Sequence, residues 1–308
     1  MIGYLFPGQG SQISGMLHKM GEYYKEVQSV FSLASEIANK DVAELCLSKT
    51  EAELRKTENT QIAVTAMNMA YLQLLQNRGM KPDIVMGHSL GQFSALVAGG
   101  VMTMETVFQI ICKRAELMSE ISVDGSLSTV IGLNYDEVSA VCHMVSVENE
   151  TVSIALHNTS EQIVIGGNTL CVSKASQILK ENGALRVVEN RVSNAFHTSL
   201  MERMVFEFTD YIQKIKLFKP ECKIILNCKG NYAENIEEIR KDIIEQCCHT
   251  VKWYESLKLL LANRDIILAE VGVGKTLAGM IRNMNSRQNV FLLSERKHLE
   301  TFLQNATG

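Results

Sequence analysis

One segment of this chain shows its architecture most clearly: Asp83-Ile84-Val85-Met86-Gly87-His88-Ser89-Leu90-Gly91-Gln92-Phe93. An apolar strand ends at a tight turn, and a largely apolar helix over residues 92–98 follows at once. Glycines on both sides of Ser89 complete the pattern G-x-S-x-G and let the backbone turn without a side-chain clash. The pattern alone recurs by chance in glycine-bounded loops, but a strand before it and a helix after it predict a nucleophile elbow.

Strands and helices alternate on both sides of this elbow. Ile2–Phe6 is predicted as a buried strand that ends in a glycine-rich loop, and residues 61–77 have the apolar spacing of an amphipathic helix. Further predicted elements are a helix over 104–120, strands over 223–227 and 266–270, and helices over 236–247 and 253–263. We therefore predict the α/β class, with an α/β-hydrolase-like core around a parallel sheet.

A second unit is expected within this core. Its predicted elements are a strand at 127–133, a helix at 135–145, strands at 151–155 and 162–165, a helix at 171–182 and a strand at 185–188. The order βαββαβ is typical of a ferredoxin-like arrangement. The sequence thus predicts a catalytic core of residues 1–125 and 198–308 and an inserted ferredoxin-like subdomain of residues 126–197.

The composition excludes several classes of protein. The 308 residues are 46% apolar and 21% charged, and the net charge of −4 offers no basic surface for nucleic acid. The eight cysteines have neither metal-ligand spacing nor the framework of a disulfide-rich protein, so no metal site is expected. There is no signal peptide pattern and no apolar run of the roughly 18 residues that a membrane span needs, so we expect a cytoplasmic protein.

A serine nucleophile needs a base, and the residues alone do not identify it. The base lies near its serine in space rather than in sequence, so His197, at the predicted exit of the inserted subdomain, is one candidate among seven histidines. A second motif, Gly272-Val273-Gly274-Lys275-Thr276, fails as a phosphate-binding loop because its first glycine would fall on Ala269. We interpret that loop as structural.

Five ordered motifs give the chain a family resemblance: Phe6-Pro7-Gly8-Gln9-Gly10-Ser11-Gln12, Gly87-His88-Ser89-Leu90-Gly91, Lys113-Arg114-Ala115-Glu116-Leu117-Met118, Ala195-Phe196-His197 and Glu270-Val271-Gly272. Together they resemble the malonyl-CoA:acyl carrier protein transacylases, including the freestanding acyltransferases of polyketide synthases. The resemblance covers essentially the whole chain and implies that Ser89 is the nucleophile and His197 its base. It also implies that the backbone carbonyl of Gln246 orients the histidine.

The resemblance implies roles for further residues. The oxyanion hole would use the backbone N–H groups of Gln9 and Leu90, and Arg114 would hold the malonyl carboxylate through two parallel hydrogen bonds. Phe196 and Asn194 are expected at the acyl site, where an aromatic ring before the histidine leaves little room for an α-methyl branch. Gln92 departs from the family pattern, in which a glutamate is common.

The activity implied is transfer of malonyl from malonyl-CoA to the phosphopantetheine thiol of a separate acyl carrier protein, by a monomer without a cofactor. One alternative is a hydrolase that clears stalled acyl groups from carrier proteins, and another is an inactive scaffold. Arg114 argues against the hydrolase, since a site for neutral acyl chains gains nothing from a buried cation. The pathway, fatty acid or polyketide synthesis, stays open, and the departures from the family pattern favour polyketide synthesis.

Overall fold

The computed structural model describes residues 1–121, 123–148, 150–190 and 194–305. A parallel sheet of five strands lies at the centre of the larger unit, in the order β7-β2-β1-β8-β9. These strands are β1 (Ile2–Phe6), β2 (Ile84–Gly87), β7 (Lys223–Ile224), β8 (Ile267–Glu270) and β9 (Val290–Leu292). A parallel sheet is covered on both faces, which explains why β2 is buried along its whole length.

The helices of this unit precede and follow those strands. They are α1 (Tyr24–Ala38), α2 (Val42–Leu47), α3 (Glu51–Leu54), α4 (Thr57–Gln76), α5 (Gly91–Ala98), α6 (Met104–Glu120), α9 (Glu202–Gln213), α10 (Ile236–Glu245), α11 (Trp253–Leu261), α12 (Thr276–Met284) and α13 (Arg296–Asn305). Short 3-10 helices span Met16–Tyr23 and Ser199–Met201.

The second sheet is antiparallel and has the order β4-β5-β3-β6. Its strands are β3 (Gly125–Ile131), β4 (Val152–Thr159), β5 (Gln162–Asn168) and β6 (Arg186–Asn190), with α7 (Tyr135–Val145) and α8 (Thr169–Glu181) as its helices. The chain order is βαββαβ, as predicted, although residues 149 and 191–193 lie outside the described residues. The predicted fold class, a parallel α/β core with a ferredoxin-like sheet, is confirmed.

The two sheets are joined by main-chain hydrogen bonds. Val251 forms a parallel bridge with Leu156 of β4; its N–H donates to Ala155 O, and its carbonyl accepts from His157 N, both at 3.0 Å. The segment before α11 therefore connects the core to the antiparallel sheet.

The amphipathic interpretation of the helix at 61–77 was wrong. This helix, α4, begins at Thr57, and sixteen of its twenty residues are buried. It packs against α1 on one side and α6 on another, so it has no broad solvent face. Its polar residues Gln61, Thr65 and Asn68 recur on one face and point into the protein, where two of them contact functional segments described below.

One predicted strand is shorter in the structure than the sequence indicates. It was predicted at 223–227, whereas β7 spans only Lys223–Ile224. Ile225 N still donates to Val85 O of β2 at 3.1 Å, and Ile225 also forms an isolated antiparallel bridge with Tyr232. No helix in the described part of the chain is long and apolar enough to cross a membrane. All eight cysteines are free thiols.

Candidate active site

The turn between β2 and α5 holds Ser89 in a conformation that most residues avoid. Its φ is +50°, in the left-handed region, which costs about 1 kcal/mol or more. A Cβ on Gly91 would lie 2.0 Å from Phe6 O, and a Cβ on Gly87 would lie 2.0 Å from Gly91 O. Both flanking glycines are therefore required by close backbone contacts. The turn places Ser89 at the start of the helix that follows.

The structure brings His197 to Ser89. Ser89 Oγ lies 2.7 Å from His197 Nε2, although 108 residues separate them in the chain. His197 Nδ1 is hydrogen-bonded to the backbone carbonyl of Gln246, so Nδ1 carries the proton and Nε2 is free to accept one from the serine hydroxyl. The main-chain N–H of His197 donates to Cys247 O at 3.1 Å, which holds the backbone of the histidine beside residues 246–247.

The environment keeps this histidine neutral. His197 is only 5% exposed, and burial, together with the positive charge of Arg114, lowers its pKa to about 3. The Gln246 carbonyl opposes this shift but does not cancel it. A neutral imidazole is the form that acts as a general base.

The glycine-rich loop after β1 lies against the serine turn. A Cβ on Gly8 would lie 2.3 Å from His88 O and 3.5 Å from Leu90 N, so the loop and the turn are in contact. Among the described residues, the N–H groups of Gln9 and Leu90 have no acceptor. A free amide at the head of a helix, with a second on the loop that packs against it, is suited to stabilise a developing oxyanion.

Arg114 is a buried cation. It is 2% exposed, its Nη1 donates to Gln61 Oε1 at 2.6 Å, and the guanidinium lies 5.6 Å from the centre of the Phe93 ring. In the described part of the chain no carboxylate pairs with Arg114, and its Nε has no hydrogen-bond partner. Burial lowers its pKa, and a guanidinium held this way favours an anionic ligand.

Phe196 and Asn194 precede His197 in the chain. Phe196 is 6% exposed and belongs to the main apolar core, which also contains Leu90. Asn194 is 5% exposed, and its Nδ2 donates at 3.0 Å to Met118 O, one helical turn after Arg114. The structure therefore gives Asn194 a main-chain partner on the helix that carries the arginine.

Sequence reasoning missed two polar contacts of this site. Gln61 accepts from Arg114, and Asn227 accepts from Ser89 N at 2.8 Å through its Oδ1. The signal for Gln61 was present: polar residues on one face of an otherwise apolar helix mark a face that points to a site or to solvent. Asn227 carried no such signal.

The loop after β8 supports the glycine-rich loop, in agreement with its structural interpretation. Glu270 is fully buried and accepts hydrogen bonds from Leu277 N and Ala278 N at the start of α12. Burial raises the pKa of Glu270 to about 7. Gly272 has a φ of +147°, and a Cβ there would lie 2.8 Å from Pro7, so this loop packs directly on the loop that carries Gln9.

An open cleft of about 540 Å³ lies beside the glycine-rich loop. It is lined by the loop over residues 9–14, by α3 and by the end of β6, and its residues include Gln9, Arg55 and Asn190. The cleft thus lies between the core and the antiparallel sheet and is bordered by Gln9, which carries one of the two free amides.

Comparison with known proteins agrees with this geometry. The acyl transferase domain family matches residues 3–286, which defines the chain as an enzyme of the acyl transferase class. The malonyl CoA-acyl carrier protein transacylase of Bacillus subtilis is 30% identical over 98% of this chain and 96% of its own length. This chain belongs to the malonyl-CoA:acyl carrier protein transacylase family.

Solved structures share the whole fold. The malonyl CoA-acyl carrier protein transacylase of Coxiella burnetii superimposes with a TM-score of 0.95 at 28% identity, covering 100% of this chain and 98% of that one. A malonyl-transacylase solved in complex with its type II polyketide synthase acyl carrier protein gives a TM-score of 0.94 at 29% identity, with 99% of each chain covered.

Proposed function

We propose that this enzyme transfers malonyl from malonyl-CoA to the phosphopantetheine thiol of an acyl carrier protein, through an ester on Ser89. The observation that carries the proposal is Arg114, a buried guanidinium with no carboxylate partner among the described residues. Burying a cation without a counter-ion is costly, and the free carboxylate of a malonyl group supplies the missing charge.

The first half-reaction uses the serine and histidine described above. Ser89 Oγ attacks the thioester carbonyl while His197 Nε2 takes the hydroxyl proton. The N–H groups of Gln9 and Leu90 stabilise the tetrahedral oxyanion, and the intermediate collapses as His197 returns its proton to the departing coenzyme A thiolate. The product is malonyl-Ser89 and free coenzyme A.

The second half-reaction is the reverse with a different thiol. The phosphopantetheine thiol of the carrier protein gives its proton to His197 and attacks the Ser89 ester, and the serine leaves as its hydroxyl. Because both thioesters pass through one site in turn, the kinetics are ping-pong. We assign the pantetheine arm to the open cleft beside the loop that carries Gln9.

Phe196 and Asn194 belong to the acyl-binding part of the site in this proposal. The ring of Phe196 disfavours an α-methyl branch, by about 1–3 kcal/mol for one methyl group. We further propose a cytoplasmic monomer without a cofactor, which takes carrier proteins of polyketide or fatty acid synthesis. The structural likeness to a type II polyketide synthase transacylase supports including the polyketide carriers.

The test is intact-protein mass spectrometry after brief exposure to malonyl-CoA, acetyl-CoA or methylmalonyl-CoA, with Ser89→Ala and Arg114→Ala as variants. We expect a malonyl adduct that requires Ser89, weakens in Arg114→Ala and moves to an added carrier protein. Carriers of the polyketide and the fatty acid type, offered separately, identify the preferred acceptor. Light scattering after gel filtration measures the oligomeric state.

Two results would contradict the proposal. Free malonate released faster than carrier protein is loaded would make the enzyme a hydrolase. An adduct that forms equally well in Arg114→Ala would remove the assigned role of the arginine.

A further inference from the structure

Asn227 lies just beyond β7 and holds the serine turn by its side chain. Its Oδ1 accepts a hydrogen bond from Ser89 N, and its Nδ2 donates to Gly87 O, both at 2.8 Å. The amide thus takes the place of a neighbouring strand where β2 ends. It binds the residues on both sides of His88 and opposes relaxation of the left-handed backbone at Ser89.

Asp242 on α10 in turn fixes Asn227. This carboxylate is 4% exposed and accepts from the backbone N–H groups of Asn227, Cys228 and Lys229 at 2.9–3.1 Å. A fourth donor is Gln92 Nε2, 2.8 Å from Asp242 Oδ1. Burial of the carboxylate raises its pKa, and the four donors oppose that shift.

Gln92 connects the same carboxylate to the base. Its Oε1 accepts from Gln246 Nε2 at 3.3 Å, and the Gln246 backbone carbonyl is the partner of His197 Nδ1. Gln92 is the second residue of α5 and is fully buried. One network of hydrogen bonds therefore reaches the nucleophile on one branch and its base on the other.

We propose that Asp242 is a positioning residue for the Ser89–His197 pair. It acts through Asn227 on the serine turn and through Gln92 and Gln246 on the histidine, and it is not a member of the pair. The inference rests on the proposed function for the roles of Ser89 and His197, which it deepens.

The network makes a specific demand on residue 92. Gln92 donates to Asp242 and accepts from Gln246, and only a neutral amide does both. A glutamate there would place two carboxylates in contact inside the protein, at a cost in free energy. When Asp242→Asn is combined with Gln92→Glu, the introduced amide can donate to the introduced carboxylate. The backbone N–H of Asn227 then loses its acceptor.

The experiment measures how fast a small sulfonyl fluoride, phenylmethylsulfonyl fluoride, modifies Ser89, with the adduct located by mass spectrometry. This rate reports the nucleophile and base without any acyl donor, so it stands apart from the proposed function. The variants are Asp242→Asn, Gln92→Glu and the double exchange. The control is Glu237→Gln, which changes an exposed carboxylate on the same helix.

We expect each single variant to lower the modification rate at least about tenfold, since small displacements of a nucleophile have large effects on rate. The double exchange is expected to react faster than Gln92→Glu alone, and Glu237→Gln to react like the wild type. With malonyl-CoA the same single variants are expected to lose kcat while KM is retained, because Arg114 lies outside the network.

The proposal is overturned if the single variants react at the wild-type rate. It is also overturned if the two changes act independently, so that the rate loss of the double variant equals the product of the two single losses. A loss of rate that parallels the loss of thermal stability, with no recovery of rate in the double variant, would also overturn it. The role of Asp242 would then be structural alone. If wild-type Ser89 reacts with the sulfonyl fluoride but accepts no malonyl group, the proposed function is contradicted. The role of Asp242 is then decided by the sulfonylation rates of the variants alone.

Discussion

Arg114 and Gln61 form a pair in which a buried cation is held by an uncharged side chain, with Nη1 and Oε1 2.6 Å apart. Gln61 is itself fully buried, and its Nε2 lies 3.2 Å from Met118 Sδ. The amide orients the guanidinium without neutralising it. The positive charge is therefore available to a ligand, and the pair would set the charge of the proposed acyl site.

This relationship predicts that Gln61→Glu impairs the enzyme more than Gln61→Met. The introduced carboxylate would pair with Arg114 and compete with the malonyl carboxylate, whereas methionine removes one acceptor and leaves the charge free. We expect kcat/KM for malonyl-CoA to fall about 10- to 100-fold in Gln61→Glu, or roughly 1.4–2.8 kcal/mol. Steady-state kinetics measure it, and equal losses in the two variants would contradict the explanation.

The low pKa of His197 predicts an unusually wide pH range for Ser89 reactivity. The pKa of about 3 lies below the ordinary value of 6.5, so the neutral base persists as the pH falls. At pH 5 an ordinary histidine is only about 3% neutral, whereas His197 stays almost entirely neutral. We expect the rate of Ser89 sulfonylation, corrected for reagent hydrolysis, to change little between pH 8 and pH 5.

The Arg114 charge is one cause of that pKa shift, after burial. Arg114→Met should therefore raise the pKa of His197 and shift the acid limb, which lies below pH 5 in the wild type, to higher pH in a profile extended below pH 5. A wild-type limb centred near pH 6.5 would show that the histidine is better solvated than the structure indicates.

The elbow at Ser89 and the two-sheet fold were predictable because they depend on local patterns: strand length, glycine spacing and the βαββαβ order. His197 was not predictable from spacing, since its approach to Ser89 depends on how the two sheets pack, and only the family resemblance selected it. Asp242 was missed for a physical reason. An acidic residue in an amphipathic helix normally faces solvent, and its burial depends on three backbone amides of a distant loop.

The contact between the glycine-rich loop and the serine turn predicts a large effect of one methyl group. In Gly8→Ala the new Cβ would lie 2.3 Å from His88 O, so the loop must move away and take Gln9 with it. Loss of one oxyanion donor lowers kcat about 10²- to 10³-fold, and we expect an effect of that order in malonyl transfer. Retention of wild-type kcat would exclude the Gln9 amide as an oxyanion donor.

Gly279→Ala is the matched control, since Gly279 lies within α12 and a Cβ there meets nothing within 4 Å. We expect unchanged kcat and a gain of about 0.5–1 kcal/mol in the free energy of unfolding, because alanine loses less conformational freedom in a helix than glycine. Urea denaturation measures the gain.

Burial of Glu270 predicts a pH-dependent difference in stability between the wild type and Glu270→Gln. The pKa of about 7 in the folded protein lies above the ordinary 4.5, so the folded state binds the proton more tightly than the unfolded state. The resulting stabilisation is complete below about pH 4.5, is lost as the pH rises to about 7, and then stays constant. Relative to Glu270→Gln, which does not titrate, the wild type should lose on the order of 3 kcal/mol of unfolding free energy across that range. Urea denaturation of both proteins at several pH values between 4.5 and 8 measures the difference. A difference that is independent of pH would mean that Glu270 is ionised throughout and held as a carboxylate by the amides of α12.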